Sequence, residues 1–252
     1  MSHRLFTEAA RRYDLHTPPH HYQDDHCFVL EELHRLRPGC RVLDVGCGTG
    51  VFLAKARAAA FDARGIDASP EMIAVAAERV GSEAVRVERM QDLCDQESYD
   101  AVVSLSWSFN YCSSLAEAGE ILARFWTALR PGGLLLLQVA HAENATSRLQ
   151  EDWEEGPGGT ENDVQFLYQF TPLAGSEPRL SARYVYACRS LNELICDEHI
   201  LNAADAQRIA ELAHGTGFRD LQIMDSWRRD PFSRSLSPFI LGHKPFLAQA
   251  LP

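Results

Sequence analysis

The sequence has no apolar stretch long enough to cross a bilayer. Its longest apolar run is Leu134–Leu137, continued by Val139 and Ala140, and this is far short of the roughly 20 residues that a membrane-spanning helix needs. The first residues, MSHRLFTEAARRYD, also lack the apolar core of a secretory signal. We therefore expect a cytoplasmic protein with no membrane partner.

Clusters of basic residues are absent as well, and the formal net charge is -11 at pH 7. Binding along a phosphate backbone depends on clustered lysine and arginine, because it is driven by the release of counterions. The composition therefore argues against a nucleic acid partner.

The seven cysteines include no pair at C-x-x-C spacing, which zinc sites and redox motifs commonly use. We expect reduced thiols that pack as small apolar residues, and no structural metal. A stretch from His16 to His26 holds four histidines and two prolines, but their spacing matches no standard ligand set. We interpret it as part of a lid rather than as a metal site.

The pattern that is present is an alternation of strands and helices. With 252 residues and 46% hydrophobic content, the chain can form one sizeable core, so residues 1–252 are predicted to be a single domain. The run Arg41–Val45 predicts a strand, and Val51–Ala60 a helix after a glycine-rich turn. A second strand, ARGIDA, ends where Ser69 and Pro70 begin the next helix.

The same alternation continues to the fifth strand. AVRVERM and AVVSLSW predict strands, a capping box from Ser114 to Glu117 starts a helix, and LLLLQVA follows the stop signal Pro131–Gly133. The polar stretch from His141 to about Asp163 predicts a loop. This order predicts an α/β fold, a doubly wound and mostly parallel sheet.

The second half of the chain departs from that alternation. VQFLYQF and RLSARYVYAC predict an antiparallel aromatic hairpin, to which SLNELICDEHIL adds a strand. After one more helix, DLQIMDSW and SPFILGHK follow each other without a helix between them, so the last strand should be antiparallel. We expect residues 1–36 to be a helical lid and residues 141–200 an insertion that covers the active site.

The strongest local signal is the glycine-rich turn after the first strand, Asp44 to Gly50. Its spacing is G-x-G-x-G, with an acid two positions before the first glycine, whereas dinucleotide enzymes use G-x-G-x-x-G. Asp67, at the end of the second strand, is placed to accept hydrogen bonds from ribose hydroxyls. Asp92 is placed to accept one from an adenine amino group, with Met72 or Met90 beside the ring; alternatively, both acids cap helices on a solvated rim.

In order along the chain, VLDVGCGTG, GIDASPEMI, MQDL, YDAVVSL and LRPGGLLLLQV resemble the class I S-adenosylmethionine-dependent methyltransferases. The resemblance implies a seven-stranded sheet, S-adenosylmethionine as cofactor and S-adenosylhomocysteine as product. It implies that the carbonyl end of AVVSL lies near the methionine amine. The cofactor-binding residues that we predict are Tyr13, Tyr22, Asp44, Gly46, Cys47, Gly48, Gly50, Asp67, Ala68, Met72, Met90, Gln91, Asp92, Leu105 and Ser106.

Within that family, YDL at Tyr13–Leu15, the aromatic hairpin and EHIL are similar to the amino sugar N,N-dimethyltransferases and the glycine N-methyltransferase group. This similarity implies methyl transfer to an amine of a small-molecule metabolite by a monomer or homodimer, and Glu143, Glu198 and Asp225 are candidates to hold its charge. SWSFNYC and QVAH differ from the sugar enzymes. A hydroxyl or carbon acceptor, or a protein that binds the cofactor without catalysis, remain alternatives.

The substrate should meet residues beyond the carboxyl ends of the strands, where open parallel sheets bind ligands. His141, directly after the fifth strand, is our candidate general base, and His199 is its rival with a structural role as the alternative. Tyr13 is a further catalytic candidate in the lid. The predicted substrate contacts are Trp107, Phe109, Asn110, Tyr111, His141, Tyr168 and Tyr184.

Overall fold

The computed structural model describes residues 3–160 and 162–246, so the outer ends of the predicted domain lie outside the described residues. The helices are α1 (Tyr13–His16), α2 (Gln23–Leu36), α3 (Val51–Ala58), α4 (Pro70–Val80), α5 (Leu115–Ala128) and α6 (Ala206–Thr216). The strands are β1 (Arg41–Val45), β2 (Asp62–Asp67), β3 (Val85–Val87), β4 (Tyr99–Ser104), β5 (Leu129–Gln138), β6 (Leu149–Glu154), β7 (Val164–Leu173), β8 (Arg179–Cys188), β9 (Glu193–Leu201), β10 (Arg219–Met224) and β11 (Phe239–His243). Within the described ranges, no helix combines the length and the apolar character that crossing a membrane requires.

Seven strands form the main sheet in the order β10-β11-β5-β4-β1-β2-β3. β1 to β5 pair in parallel, and β11 runs antiparallel to both β5 and β10. The predicted fold class is confirmed, including the antiparallel last strand.

Helices cover both faces of this sheet, and the apolar strands divide their side chains between the two layers. In β5, Leu135 and Leu137 pack against the face covered by α5 and α6, whereas Leu134 and Leu136 pack against the face covered by α2 and α3. This alternation explains why the central strands are continuously apolar, since each face needs its own core.

The helices begin where their caps predict. Ser69 Oγ accepts the Met72 N–H at the start of α4, and Asp205 accepts the N–H groups of two residues of α6. Ser114 Oγ accepts the Glu117 N–H, while the Glu117 carboxylate accepts the N–H of Ser113 rather than that of Ser114.

A second, antiparallel sheet has the order β6-β7-β8-β9. The predicted hairpin is β7 with β8, and its third strand is β9. The prediction of a loop from His141 to Asp163 was wrong over Leu149–Glu154, which forms the edge strand β6. β6 lies at the edge of the second sheet, where backbone pairing holds it and most of its side chains are exposed. The stretch therefore lacks the apolar alternation from which a strand is predicted.

Asn110 joins the two sheets. Its side chain accepts the N–H of Ala140 beyond β5 at 2.8 Å and donates to the carbonyl of Asn202, just beyond β9, at 2.9 Å. The Asn202 backbone N–H returns a hydrogen bond to the Asn110 carbonyl at 2.8 Å. The residue is fully buried, and it fixes the end of β9 against the main sheet.

Candidate active site

A cavity of about 610 Å³ lies beyond the carboxyl ends of β1, β2, β3 and β4, under the N-terminal segment His3–Tyr22. Its wall includes thirteen of the fifteen predicted cofactor residues. These are Tyr13, Tyr22, Asp44, Gly46, Cys47, Gly48, Asp67, Ala68, Met72, Met90, Gln91, Leu105 and Ser106.

All three glycines of the turn after β1 have positive φ angles, +76° at Gly46, +54° at Gly48 and +78° at Gly50. A Cβ at Gly46 would come within 2.4 Å of the Ser108 Cβ, so the turn could not keep its approach to the segment after β4. A Cβ at Gly48 would have no atom within 4 Å. Because Gly48 lines the cavity, its missing side chain leaves room for a ligand against the backbone.

Asp67 holds this turn in place from the end of β2. Its Oδ2 accepts the Gly48 N–H at 2.9 Å, and its Oδ1 accepts the Ser69 N–H at 2.8 Å. Each carboxylate oxygen has a second lone pair that can accept from a ligand hydroxyl. Burial raises the pKa of Asp67, and burial together with the charge of Asp67 raises the pKa of Asp44 to about 8.

Two predicted cofactor residues are not part of the cavity wall. Gly50 faces helix α4, where a Cβ would lie 3.1 Å from the Ala76 Cβ, so its glycine serves helix packing. Asp92 is exposed in the short 3-10 turn Met90–Asp92, and its neighbours Met90 and Gln91 face the cavity instead. The structure therefore does not bring the Asp92 carboxylate to the predicted adenine position.

Tyr111 is the one predicted substrate residue that lines the cavity, and a chain of polar groups stands behind it. Its hydroxyl lies 2.5 Å from Nδ1 of His199, and His199 Nε2 lies 3.0 Å from Oδ2 of Asp197. The same carboxylate oxygen accepts the Leu5 N–H at 3.1 Å. His199 is fully buried, and this burial lowers its pKa to about 4, so the imidazole is neutral at neutral pH.

The tautomer of His199 follows from its neighbours. A neutral imidazole has one N–H, and the Asp197 carboxylate can only accept, so the proton belongs on Nε2. Nδ1 then accepts the hydrogen bond of the Tyr111 hydroxyl. We call Asp197, His199 and Tyr111 the relay, because together they connect the cavity to a partly buried carboxylate.

Aromatic rings surround the cavity end of the relay. Phe6 lies 5.6 Å from Tyr111 and 6.1 Å from Tyr13 between ring centroids, and all three line the cavity. Tyr184 packs 5.1 Å from His199 on the far side, so it supports the relay without reaching the cavity wall. Together these rings leave the relay enclosed by apolar surface.

His141 lies away from the cavity. Backbone pairing of Val139 and His141 with Pro238 and Leu236 keeps this segment under the β11 side of the sheet. His141 is 1% exposed, and its Nδ1 accepts the Ala206 N–H at 3.2 Å at the start of α6. Its position is that of a helix cap, with no path to an acceptor.

Four other predicted substrate residues also lie outside the wall. Trp107 donates to the Ser237 hydroxyl at 2.9 Å, and Phe109 packs in the main core against Phe125. Asn110 is occupied by the backbone groups described above, and Tyr168 stacks among the phenylalanines of β7. Of the aromatic residues in the turn after β4, Trp107 therefore faces the second sheet, Phe109 the main core and Tyr111 the cavity.

The three acids considered for holding a cation are engaged on the surface. Glu143 pairs with Arg234 and Glu198 with Arg183, while Asp225 accepts hydrogen bonds from Ser233 and Ser235. None of the three lines the cavity.

Sequence reasoning missed Asp197 and His26. Asp197 had a usable signal, since residues two apart on a strand share a face and it stands two before His199. His26 had none, because the histidine-rich stretch gave no helical pattern, although α2 begins at Gln23.

Two groups of side chains have a spacing that a metal ion would accept. The candidate ligand atoms of His3, Asp197 and His199 lie within 4.8 Å of one another, as do those of the exposed pair His20 and His21 with Glu154. In the first group His199 Nδ1 already has the Tyr111 hydroxyl as its partner, and His199 Nε2 lies 3.0 Å from Asp197 Oδ2 as a close polar contact without the geometry of a hydrogen bond. Its contacts are therefore those of the relay.

Comparison with known proteins agrees with this geometry. A family model described as a methyltransferase domain matches residues 20–223. A protein of Geobacillus sp. (strain WCH70) that carries a methyltransferase name is 27% identical over 154 residues, 58% of this chain and 61% of the relative, so the match spans less than two thirds of that protein. The glycine/sarcosine N-methyltransferase of Halorhodospira halochloris is 33% identical over 44% of this chain and 43% of its own.

Among solved structures, CalS10, an amino pentose methyltransferase of Micromonospora echinaspora determined with S-adenosylmethionine bound, has a TM-score of 0.69 at 21% identity. The alignment covers 88% of this chain and 91% of that one, and at this identity it establishes the fold. The family match covers most of the chain. The sheet order of this protein is that of the Rossmann-like methyltransferases, and its glycine turn and Asp67 suit a nucleoside ligand. The chain therefore belongs to the methyltransferase domain family.

Proposed function

We propose that this protein transfers a methyl group from S-adenosylmethionine to the amine of a small-molecule metabolite. The observation that carries the proposal is the relay, because it gives a proton of the acceptor a path from the cavity, through Tyr111, to a buried histidine and a partly buried carboxylate. The glycine/sarcosine and amino pentose relatives act on amines by their names, which agrees with this acceptor class.

The charge of the cavity wall supports an acceptor that arrives as a cation. Arg89 is the only arginine or lysine among the described lining residues, and it follows β3, away from the relay. Beside Tyr111 the wall offers the rings of Phe6 and Tyr13, whose faces attract ammonium groups. An ammonium can therefore approach Tyr111 without meeting a fixed positive charge.

S-adenosylmethionine, when bound, supplies a methyl group on a positively charged sulfur. Asp67 and the backbone of the glycine turn would hold its nucleoside, and the aromatic wall would exclude water from the reacting groups. The acceptor nitrogen must lose a proton to expose its lone pair. The Tyr111 oxygen accepts that proton as its own hydroxyl proton passes to His199 Nδ1, and the Asp197 carboxylate stabilises the resulting imidazolium.

The test uses matched acceptors that differ only in the reacting atom. Amino sugars and amino acids would be compared with the corresponding sugars and hydroxy acids in incubations with methyl-labelled cofactor, and the methylated atom would be identified by NMR. We expect label on nitrogen. Label on oxygen or carbon alone would refute the amine acceptor, and the absence of both cofactor binding and transfer would refute the methyltransferase activity.

The pH profile gives a second readout. With a pKa of about 4, His199 stays neutral from pH 6 to 9, so the relay itself does not titrate in that range. Because the ammonium is the form that binds and its proton is removed inside the site, kcat/KM should be level with pH below the pKa of each amine and fall above it across a series of analogues. An inflection at one pH for every analogue would instead indicate a group of the enzyme.

A further inference from the structure

His26 is a buried polar side chain in the cavity wall whose hydrogen bonding is incomplete. It belongs to α2, it is 5% exposed, and its ring lies between Tyr22 and Phe52 at centroid distances of 5.9 and 5.4 Å. Its Nδ1 has no hydrogen-bond partner within the described parts of the chain. Among the described residues of the cavity wall, His26 Nδ1 is the one buried side-chain atom of this kind.

An unpaired buried nitrogen costs free energy that folding must recover elsewhere, and proteins therefore rarely keep one without a use. Burial, with a contribution from the nearby Lys55 charge, lowers the pKa of His26 to about 4. The ring is thus neutral at neutral pH and has a single N–H to donate. A ligand that fills the cavity and carries an acceptor would satisfy it.

The place of His26 in the fold indicates which part of the ligand it meets. Asp67, Met72 and Met90, on the nucleoside side, follow or lie just beyond β2 and β3. Helix α2 packs against α3 and β5, and β4 and β1 separate β5 from β2 in the sheet. A ligand whose nucleoside lies over β2 and β3 therefore directs its amino-acid end across the glycine turn toward α2.

The amino-acid end of S-adenosylmethionine carries an ammonium and a carboxylate. The cavity wall offers more hydrogen-bonding partners to the ammonium than to the carboxylate. The Asp44 carboxylate and the backbone of Leu105 provide acceptors for the ammonium. For the carboxylate, the one lysine or arginine of the described wall, Arg89, stands at the opposite end after β3. On the α2 side the wall offers the Tyr22 hydroxyl and the His26 ring, and His26 Nδ1 is the one left without a hydrogen-bond partner among the described residues.

We propose that His26 donates a hydrogen bond from Nδ1 to the methionine carboxylate of S-adenosylmethionine and so selects ligands that retain this group. The inference rests on the proposed cofactor but is independent of the acceptor. It makes His26 a cofactor-binding residue that distinguishes S-adenosylmethionine from its decarboxylated form.

The experiment measures dissociation constants by calorimetry for S-adenosylmethionine and for decarboxylated S-adenosylmethionine, with wild type, His26→Leu and His26→Asn. We expect His26→Leu to weaken binding of the full cofactor about 10- to 30-fold and binding of the decarboxylated form less than about 3-fold. His26→Asn keeps an N–H donor near the position of Nδ1, so it should regain most of the affinity. His34→Leu, on an exposed position of the same helix, is the matched control.

The pairing of ligands keeps the possible outcomes separate. Equal weakening of both ligands would mean that His26 only shapes the cavity, and unchanged affinity for the full cofactor in a folded His26→Leu would mean that the contact is not made; either result overturns the inference. Wild type that binds neither ligand would overturn the proposed function together with it. Thermal unfolding of each variant verifies that it is folded.

Discussion

The two walls of the cavity are built in different ways. The cofactor wall consists of backbone and short side chains at the ends of neighbouring strands, with Gly48 and Asp67 at its centre. The acceptor wall consists of large side chains from distant parts of the chain, such as Phe6, Tyr111 and, behind them, His199. The first wall is fixed by local chain geometry, and the second by tertiary packing, so changes in the second should alter chemistry while leaving cofactor binding intact.

Breaking the relay should have the largest effect and should separate turnover from binding. We expect Tyr111→Phe and His199→Leu each to lower kcat by about a hundredfold or more, because the acceptor proton loses its path. The dissociation constant of S-adenosylmethionine should change less than about 3-fold. Since both residues act in one chain, the double variant should be little worse than either single variant.

The control for this experiment is His141→Gln, a buried histidine outside the cavity. It should lower thermal stability, through loss of the hydrogen bond to Ala206 at the start of α6, and leave kcat close to the wild-type value. If turnover were lost at His141 and kept at His199, the sequence-based choice of His141 as the base would be right and the relay wrong.

Breaking the cofactor wall should have the opposite signature. We expect Asp67→Ala to weaken S-adenosylmethionine binding by about 2–3 kcal/mol, because charged hydrogen bonds to the ribose are lost. Asp62→Ala is the control, since Asp62 is on the same strand but pairs with Arg41 and Arg64 away from the cavity. Calorimetric titration of both folded variants decides the matter, and unchanged affinity in Asp67→Ala would remove this residue from the site.

The loss of stability in acid tests the same comparison of the two walls, with a smaller expected effect. One buried neutral histidine belongs to each side: His26 to the cofactor side and His199, behind Tyr111, to the acceptor side. His26 and His199 have pKa values of about 4, below the ordinary 6.5, so between pH 6.5 and 4 the unfolded chain binds more protons than the folded one. Each should therefore reduce the free energy of unfolding as the pH falls through this window, by on the order of 2 kcal/mol.

Urea denaturation at pH 7 and pH 4.5 measures this loss. His26→Leu and His199→Leu should each lose less stability than wild type between the two pH values. Asp44 contributes with the opposite sign, since its pKa of about 8 favours the folded state as the pH falls, but it is common to all three proteins. An unchanged pH dependence in either variant would show that its histidine is not held neutral by folding.

The cofactor wall could be predicted from the sequence because its residues are consecutive with the strands that place them. The turn from Asp44 to Gly50, and Asp67 after β2, need only the order strand, turn and helix to be brought together. Edge strand β6 could not be predicted in this way, since its pairing with β7 depends on backbone groups that every sequence has. The role of Asp92 stays a prediction, since it lies exposed in a 3-10 turn whose other two residues line the cavity.

The acceptor wall could be predicted only in part, because Tyr111 and His199 were among the candidates but their contact with each other was not foreseen. His141 and His199 looked alike in the sequence as histidines at strand ends or within strands, and position in the third dimension separates them. The segment after β5 pairs with Leu236 and Pro238, far along the chain, and this pairing takes His141 to α6. The register of β9 against β8 places His199 opposite Ala182 and turns it toward Tyr111.

The hydrogen bonds of Asn110 limit how far the two sheets can move relative to each other. Asn110 precedes Tyr111 directly, and Asn202, its partner, stands three residues after His199, so two members of the relay lie within three residues of this junction. The second sheet can therefore not slide or tilt as a unit without stretching hydrogen bonds of 2.8 to 2.9 Å. The alignment of Tyr111 with His199 is therefore set by the Asn110 junction inside the protein. The outer strands of the second sheet can vary with the shape of the acceptor.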